Sequence, residues 1–294
     1  MLERTPLNQS YLELLKRSLL GELYVENEAR IILTLNSMIN HIPIKPAHLA
    51  GVGREADLMR VLRETKENGT TFCMKQQMPD GSWVTRSDMR NFTELSHTMI
   101  GRKRLDNLQA CIETVLDDGV LGDLIETGIW RGGACIFMRG VLRAYGVADR
   151  VVWAADSFDG VPPPTRPEDA GLDLSKNLLP VLAVPLEEVQ ALFERYGLLD
   201  DHVKFLKGWF RDTLGGAPID RLAVLRLDGD LYESTMDALN PLYDKVSPGG
   251  FVIVDDYYSC APCGRAIDEF RAARGIVTPM QKVDVQAVFW HKQA

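Results

Sequence analysis

Two short apolar runs end abruptly in acid: Leu225-Arg226-Leu227-Asp228-Gly229-Asp230 and, one helix length further on, Phe251-Val252-Ile253-Val254-Asp255-Asp256-Tyr257. Residues 224–227 and 251–254 read as buried strands, and 234–245 between them as a helix closed by Ser247-Pro248-Gly249-Gly250. A strand, a crossover helix and a second strand form a βαβ unit, whose strands run parallel and end at the same edge of a sheet. Asp228, Asp255 and Asp256 therefore converge at the carboxyl edge, where open α/β sheets bind ligands. Three like charges need a counter-charge. A hard divalent cation, Mg2+ before Ca2+, takes carboxylate oxygens and cancels their repulsion. One acid pair alone would be an ordinary strand-end cap; the second acidic run moves the balance to a metal site.

From Gly122 onward strand and helix alternate, with strands at 124–126 and 151–155 around a helix over 134–145, which predicts a doubly wound α/β sheet. Residues 284–290 read as a terminal antiparallel strand beside a neighbour near Ile276-Val277. Before Gly122 the apolar spacing is helical, over 11–20 and again over 104–116. Residues 66–92, rich in Gly, Asn, Asp and Ser, read as a mobile loop or lid, and the stretch opened by Val161-Pro162-Pro163-Pro164 as a second irregular insertion. The expected organisation is a helical extension with a lid at 1–104 and an α/β domain at 105–294.

With 46% hydrophobic residues in 294, the chain can bury a full core. No apolar run reaches the ~20 residues that a membrane span needs, and the start lacks a basic region followed by an apolar one. A cytoplasmic protein with no membrane partner is expected. A net charge of −8 argues against nucleic acid as the main partner and leaves a small molecule. Five scattered cysteines suit a reducing compartment. Cys260-Ala261-Pro262-Cys263 has no second pair at zinc-site spacing, so neither a zinc nor a redox role is expected of it.

A glycine loop, Glu126-Thr127-Gly128-Ile129-Trp130-Arg131-Gly132-Gly133, follows the first strand of the sheet and opens a helix. Glycine there lets backbone approach a nucleotide-like cofactor. The spacing is not that of dinucleotide folds. Glu-x-Gly-x-x-x-Gly instead resembles the first motif of S-adenosylmethionine (SAM) dependent methyltransferases, with Trp130 where the middle glycine usually stands. The next strand ends in Asp156, which is suited to accept both hydroxyls of a ribose.

In order along the chain, residues 11–20, Thr98-Met99-Ile100-Gly101 with Lys103-Arg104-Leu105-Asp106-Asn107, the glycine loop, Asp156-Ser157-Phe158-Asp159-Gly160, residues 208–214, Asp228-Gly229-Asp230 and Asp255-Asp256-Tyr257 resemble the macrocin O-methyltransferase-like family. These enzymes methylate sugar hydroxyls of macrolide and aminocoumarin natural products. The resemblance implies a class I SAM-methyltransferase fold and a glycoside acceptor. It implies Mg2+ on Asp228, Asp255 and Asp256, and Asp230 as general base. SAM would be held by Glu126, Thr127, Gly128, Gly132, Asp156 and Ser157, with Thr98, Met99, Ile100 and Gly101 closing over it and Asp212 near the adenine. A homodimer or higher homo-oligomer is expected. Residues 29–88 depart from the family's shorter linker, which leaves the acceptor's identity open.

A sugar hydroxyl holds its proton too tightly to attack a methyl group at neutral pH, so activating the oxygen is the chemical problem. A cation with three carboxylates leaves positions for two substrate oxygens. Asp230, two residues past a metal ligand, is placed to take the proton, although an aspartate of ordinary pKa is a weak base for an alcohol. Its other reading is an N-terminal cap for the following helix. His97 is the rival base, since imidazole suits neutral pH. A catechol acceptor and a non-catalytic SAM-fold scaffold are the alternative functions.

Overall fold

The computed structural model describes residues 2–90 and 95–293, which divide into two compact units: Leu14–Lys103, and Arg104–Ala294 together with Met1–Glu13. Among the described residues, no helix is long and apolar enough to cross a membrane.

The smaller unit takes in the end of α1 (Pro6–Leu19), then α2 (Val25–Asn40), a short α3 (Pro46–Ala50), α4 (Ala56–Asn68) and an antiparallel hairpin of β1 (Cys73–Gln77) and β2 (Trp83–Arg90). Of residues 66–92, expected as a mobile loop or lid, 66–90 are thus the last turn of α4 followed by the hairpin. The turn-forming residues belong to the helix cap at Gly69 and to the tight turn in which Met78 N–H donates to Ser82 O. Exposed polar side chains on β1 blur the alternation that marks a strand. Asn91 and Phe92, the end of the expected lid, lie outside the described residues. Val25, Ala29, Ile32 and Ile39 of α2 pack on Met59 and Leu62 of α4 and Met74 of β1. Through this core runs a buried ion pair, Lys66 Nζ to Glu28 Oε2 at 2.6 Å. The same ammonium donates to Leu20 O at 2.9 Å and Ser96 Oγ at 3.3 Å. Burial pushes the Glu28 carboxyl up, and Lys66 opposes it.

The larger unit holds α5 (Gly101–Asp117) from Arg104 onward, β3 (Asp123–Thr127), α6 (Gly133–Ala144), β4 (Val152–Asp156), α7 (Leu186–Arg195), β5 (Val203–Lys207), α8 (Phe210–Thr213), β6 (Leu222–Leu227), α9 (Tyr232–Leu242), β7 (Val246–Val254), α10 (Ala261–Ala273), β8 (Gln281–Lys282) and β9 (Val288–His291). Its sheet runs β5-β4-β3-β6-β7-β9-β8, parallel from β5 to β7, with β9 antiparallel to both neighbours. This is the expected doubly wound sheet. Every residue of β6 is buried, as a central parallel strand covered on both faces must be. Leu225, Leu227, Val252 and Val254 pack on Leu239 and Leu242 of α9 and Ile267 and Phe270 of α10.

Two expectations are corrected. Ser247-Pro248-Gly249-Gly250 do not close a helix but lie in the irregular start of β7, where the register jumps from Leu222↔Val246 to Val224↔Phe251. The proline and glycines mark that bulge. The terminal strand is only Val288–His291, beside β7 and β8 and not beside Ile276-Val277. Asp284 turns the preceding segment by accepting the N–H groups of Gln286 and Ala287.

Lys66→Met leaves a carboxylate buried in the smaller unit without its cation, and should cost about 3–5 kcal/mol in a denaturant titration. Adding Glu28→Leu should recover most of that loss.

Candidate active site

Register decides where the acids go. Ala155, Thr127, Leu227 and Val254 are neighbours across β4, β3, β6 and β7. The next residues, Asp156, Gly128, Asp228 and Asp255, therefore stand in one row at the carboxyl edge. Backbone hydrogen bonds continue past the strand ends, from Gly128 N–H to Ala155 O, Asp228 N–H to Thr127 O and Asp255 N–H to Leu227 O, each 2.9 Å. Between β3 and β6 the winding direction reverses, which opens the crevice used by ligands in such sheets. The strand ends approach so closely that a Cβ on Gly128, at φ +87°, would lie 1.8 Å from Asp228 O. Only glycine fits.

Oxygens of Asp228, Asp255 and Asp256 lie within 4.8 Å of one another. Asp256 Oδ2 is buried with no hydrogen-bond partner. Burial pushes the Asp256 carboxyl well above the ordinary range, and Asp230, Asp228 and Asp255 push it the same way. The Asp230 carboxyl rises to about 7, first through burial and then through the charges of Asp228 and Asp255. This is far from the ordinary acid expected from sequence. Asp230 adopts a left-handed φ of 57°, which Asp tolerates better than most residues. It does not cap α9: the Asp169 carboxylate does, accepting Tyr232 N–H at 2.7 Å and Glu233 N–H at 3.2 Å.

Sequence reading missed the two cations beneath these acids. Arg226, 1% exposed and next to last in β6, donates to Glu126 Oε1 at 2.5 Å and Asp228 Oδ2 at 2.7 Å, and also to Asp255 Oδ1. Arg104 on α5 donates to the other oxygen of Asp255 and, at 2.8 Å, to Asp284 Oδ2. The signal was present, because an arginine inside an otherwise apolar parallel strand has to be paired. Six carboxylates, of Glu126, Asp228, Asp230, Asp255, Asp256 and Asp284, surround two guanidinium groups. An acid excess remains.

The expected SAM residues divide by position. Asp156 accepts Ile129 N–H at 2.8 Å on one oxygen and Phe158 N–H at 2.7 Å on the other. Burial raises its carboxyl, and these N–H groups oppose the rise. Ser157 Oγ also lies 3.4 Å from the oxygen that accepts Phe158 N–H. Ser157 Oγ donates to Gly160 O at 2.6 Å and shapes the turn after β4. Trp130 takes the left-handed conformation that a middle glycine would, at φ 49°, and its Nε1–H donates to Val181 O at 2.9 Å. Gly132 opens α6 against Val189 and Phe193 of α7. Thr127 is buried in β3. Glu126 points into the interior, between Arg226 and the Cys135 thiol at 3.1 Å, and burial foremost pushes it up to about 8. Asp212 is exposed on α8, 3.9 Å from Arg211.

His97, Thr98, Met99, Ile100 and Gly101 belong to the smaller unit. His97 N–H donates to Leu19 O at 2.8 Å. Thr98 and Ile100 are buried and Met99 is half-buried. Gly101 stacks on Gly69, where a Cβ would come within 2.2 Å of Gly69 N.

Residues 8–292 match the model of the macrocin-O-methyltransferase (TylF) family. The chain is 58% identical over 208 residues to the 8-demethyl-8-(2,3-dimethoxy-alpha-L-rhamnosyl)-tetracenomycin-C 4'-O-methyltransferase of Streptomyces olivaceus, covering 70% of this chain and 79% of that one. It is 45% identical over 278 residues to the mycinamicin III 3''-O-methyltransferase of Micromonospora griseorubida, covering 93% and 97%. The solved structure of the O-methyltransferase NovP superposes with a TM-score of 0.75 at 41% identity, over 98% of this chain and 100% of that one. The calicheamicin methyltransferase CalS11, at a TM-score of 0.52 and 19% identity over 64% and 78%, shares the fold.

Arg226→Met strips the shared cation from Glu126, Asp228 and Asp255, and should lower stability by about 3–5 kcal/mol in thermal or denaturant melts. Arg226→Lys should recover only part, because an ammonium cannot reproduce the guanidinium fork.

Proposed function

The chain belongs to the macrocin-O-methyltransferase (TylF) family, and on that premise we propose that it is a Mg2+-dependent enzyme that methylates a sugar hydroxyl of a glycosylated natural product. As an O-methyltransferase with the class I fold it takes its methyl group from SAM. Sugar as acceptor is supported by the relatives, one named for a rhamnosyl-tetracenomycin and others for mycinamicin III and demethyldecarbamoylnovobiocin.

The observation that carries the metal is the acid excess at the switch point, with the orphaned Asp256 Oδ2 inside it. An all-carboxylate donor set suits Mg2+. Asp228, Asp255 and Asp256 would hold it, with Asp255 steered by Arg226 and Arg104. Bound there, Mg2+ supplies Lewis-acid polarisation of the acceptor hydroxyl and SAM an electrophilic methyl group. Asp230 takes the hydroxyl proton onto its carboxylate. In the metal-free fold, burial and then the charges of Asp228 and Asp255 raise its proton affinity above that of an ordinary aspartate. On the cofactor side, Thr127, Gly128, Gly132, Asp156 and Ser157 would cradle SAM, with Asp212 at the rim. Glu126 would act from below, tying the loop to Arg226. Exposed Leu14, Tyr24, Ile31 and Met38 support a homodimer through the N-terminal helices, which light scattering would test. Five free cysteines support a cytoplasmic location.

Calorimetry should find Mg2+ affinity weakened at least tenfold in Asp256→Asn with SAM binding retained. Unchanged Mg2+ affinity would remove the metal site. On a panel of the relatives' acceptors, Asp230→Asn should lose about 10²–10⁴ in kcat while still binding Mg2+. His97→Asn in the same assay separates the two candidate bases.

Asp230 and Glu126 titrate near 7 and 8 in the fold against 3.8 and 4.5 unfolded. Without a divalent cation the native state therefore holds more protons than the unfolded chain, and stability should fall as pH rises towards and through 7–8. Melting curves from pH 6 to 8.5 should show that decline in a chelator. Saturating Mg2+ should flatten it.

A further inference from the structure

Cys260-Ala261-Pro262-Cys263 is a motif that methyl transfer leaves unused, yet the fold sets it against the acids. Cys260 immediately precedes α10, and Cys263 lies buried in the first turn. The Cys260 Sγ is 3.7 Å from Asp230 Oδ1, and one ligand atom each from Asp230, Asp256 and Cys260 lies within 4.8 Å of the others. Cys260 is half-exposed, so an ion can arrive from solvent. Asp256 is 8% exposed, and its Oδ2 is buried without a partner. Zn–S and Zn–O bonds of about 2.3 and 2.1 Å at a tetrahedral angle separate sulfur from oxygen by roughly 3.5 Å. The observed spacing is already close to that.

We propose that Asp230, Asp256 and Cys260 form a second cation site, selective for a thiophilic divalent ion such as Zn2+ or Cd2+, whose occupation blocks methyl transfer. It shares Asp256 with the all-oxygen group of Asp228, Asp255 and Asp256 and differs from it in chemistry, because a sulfur donor favours softer ions and is of no use to Mg2+. Three protein ligands leave a fourth position for water, the arrangement of an open zinc site. On binding, the Cys260 S–H bond breaks, a metal–sulfur bond forms and the proton goes to solvent; no electron moves. A dithiol redox pair is the weaker use of the motif. Burial and the neighbouring acids hold both thiols protonated, whereas redox cysteines are poised as thiolates. The inhibition rests on the reading of Asp230 as base, and the binding does not.

The test is a Cd2+ titration of the whole protein in saturating Mg2+, read by the ultraviolet thiolate-to-cadmium charge-transfer band, beside Zn2+ inhibition of turnover of the best panel acceptor. One equivalent of band is expected in the wild type and in Cys263→Ala. It should be lost in Cys260→Ala and in Cys260→Ser, the latter placing a residue favoured at a helix N-cap there, and its Cd2+ affinity should weaken at least tenfold in Asp230→Asn. Cys260→Ala should still transfer methyl groups and should need at least tenfold more Zn2+ for half-inhibition. A band that persists in both Cys260 variants, or is missing from the wild type, overturns the site. A band that behaves as expected with no inhibition upholds the site and overturns Asp230 as base.

Discussion

A guanidinium inside the sheet, that of Arg226, is the interaction on which the candidate site depends. It sits in a strand with no access to water and spends its donors on Glu126, Asp228 and Asp255. Burying a charge is tolerable only when it is paired and hydrogen-bonded, and here the pairing runs both ways. Without Arg226 the three carboxylates would repel one another in a low-dielectric interior; without them the arginine could not be buried. Arg104 extends the arrangement to Asp284, so the antiparallel end of the sheet is tied to the same acids.

Two cations do not neutralise the cluster, and that residue of negative charge is the chemical content of the site. Burial first, and then the charges of the neighbouring acids, push Asp256 and Asp230 towards their protonated forms. A bound divalent cation would reverse that push. The same imbalance connects stability to metal and pH, since a fold that must protonate carboxylates near neutrality is stabilised by whatever replaces those protons. Capping of α9 by Asp169, from the insertion after β4, leaves Asp230 free of a structural hydrogen bond to the helix. Cys260 lies close enough to share that freedom.

The smaller unit shows the same economy on a different scale. Lys66 and Glu28 are buried together, with the ammonium further held by Leu20 O and Ser96 Oγ. Its hairpin was hidden in the sequence because β1 carries exposed polar side chains, so no alternation stands out, and its turn residues look like a loop. The start of β7 misled for the opposite reason. Pro248, Gly249 and Gly250 read as a break between elements, whereas pairing with β6 and β9 carries the strand through them.

The sequence by itself determined the βαβ alternation, the glycine loop and the arrival of Asp156, Asp228 and Asp255 at one edge. Each follows from local periodicity and from the rule that crossover strands are parallel, and neither needs a distant contact. Tertiary structure alone decided what those acids face. That Arg226 and Arg104 reach into the cluster, that Asp169 caps a helix more than sixty residues away, and that Glu126 turns inward while Asp156 folds back on the loop all depend on the packing of segments far apart in the chain. Burial, set by that packing, is also what moves Asp230 from an ordinary acid to one that titrates near neutrality. A side chain's proton affinity belongs to its surroundings, and a linear sequence does not contain them.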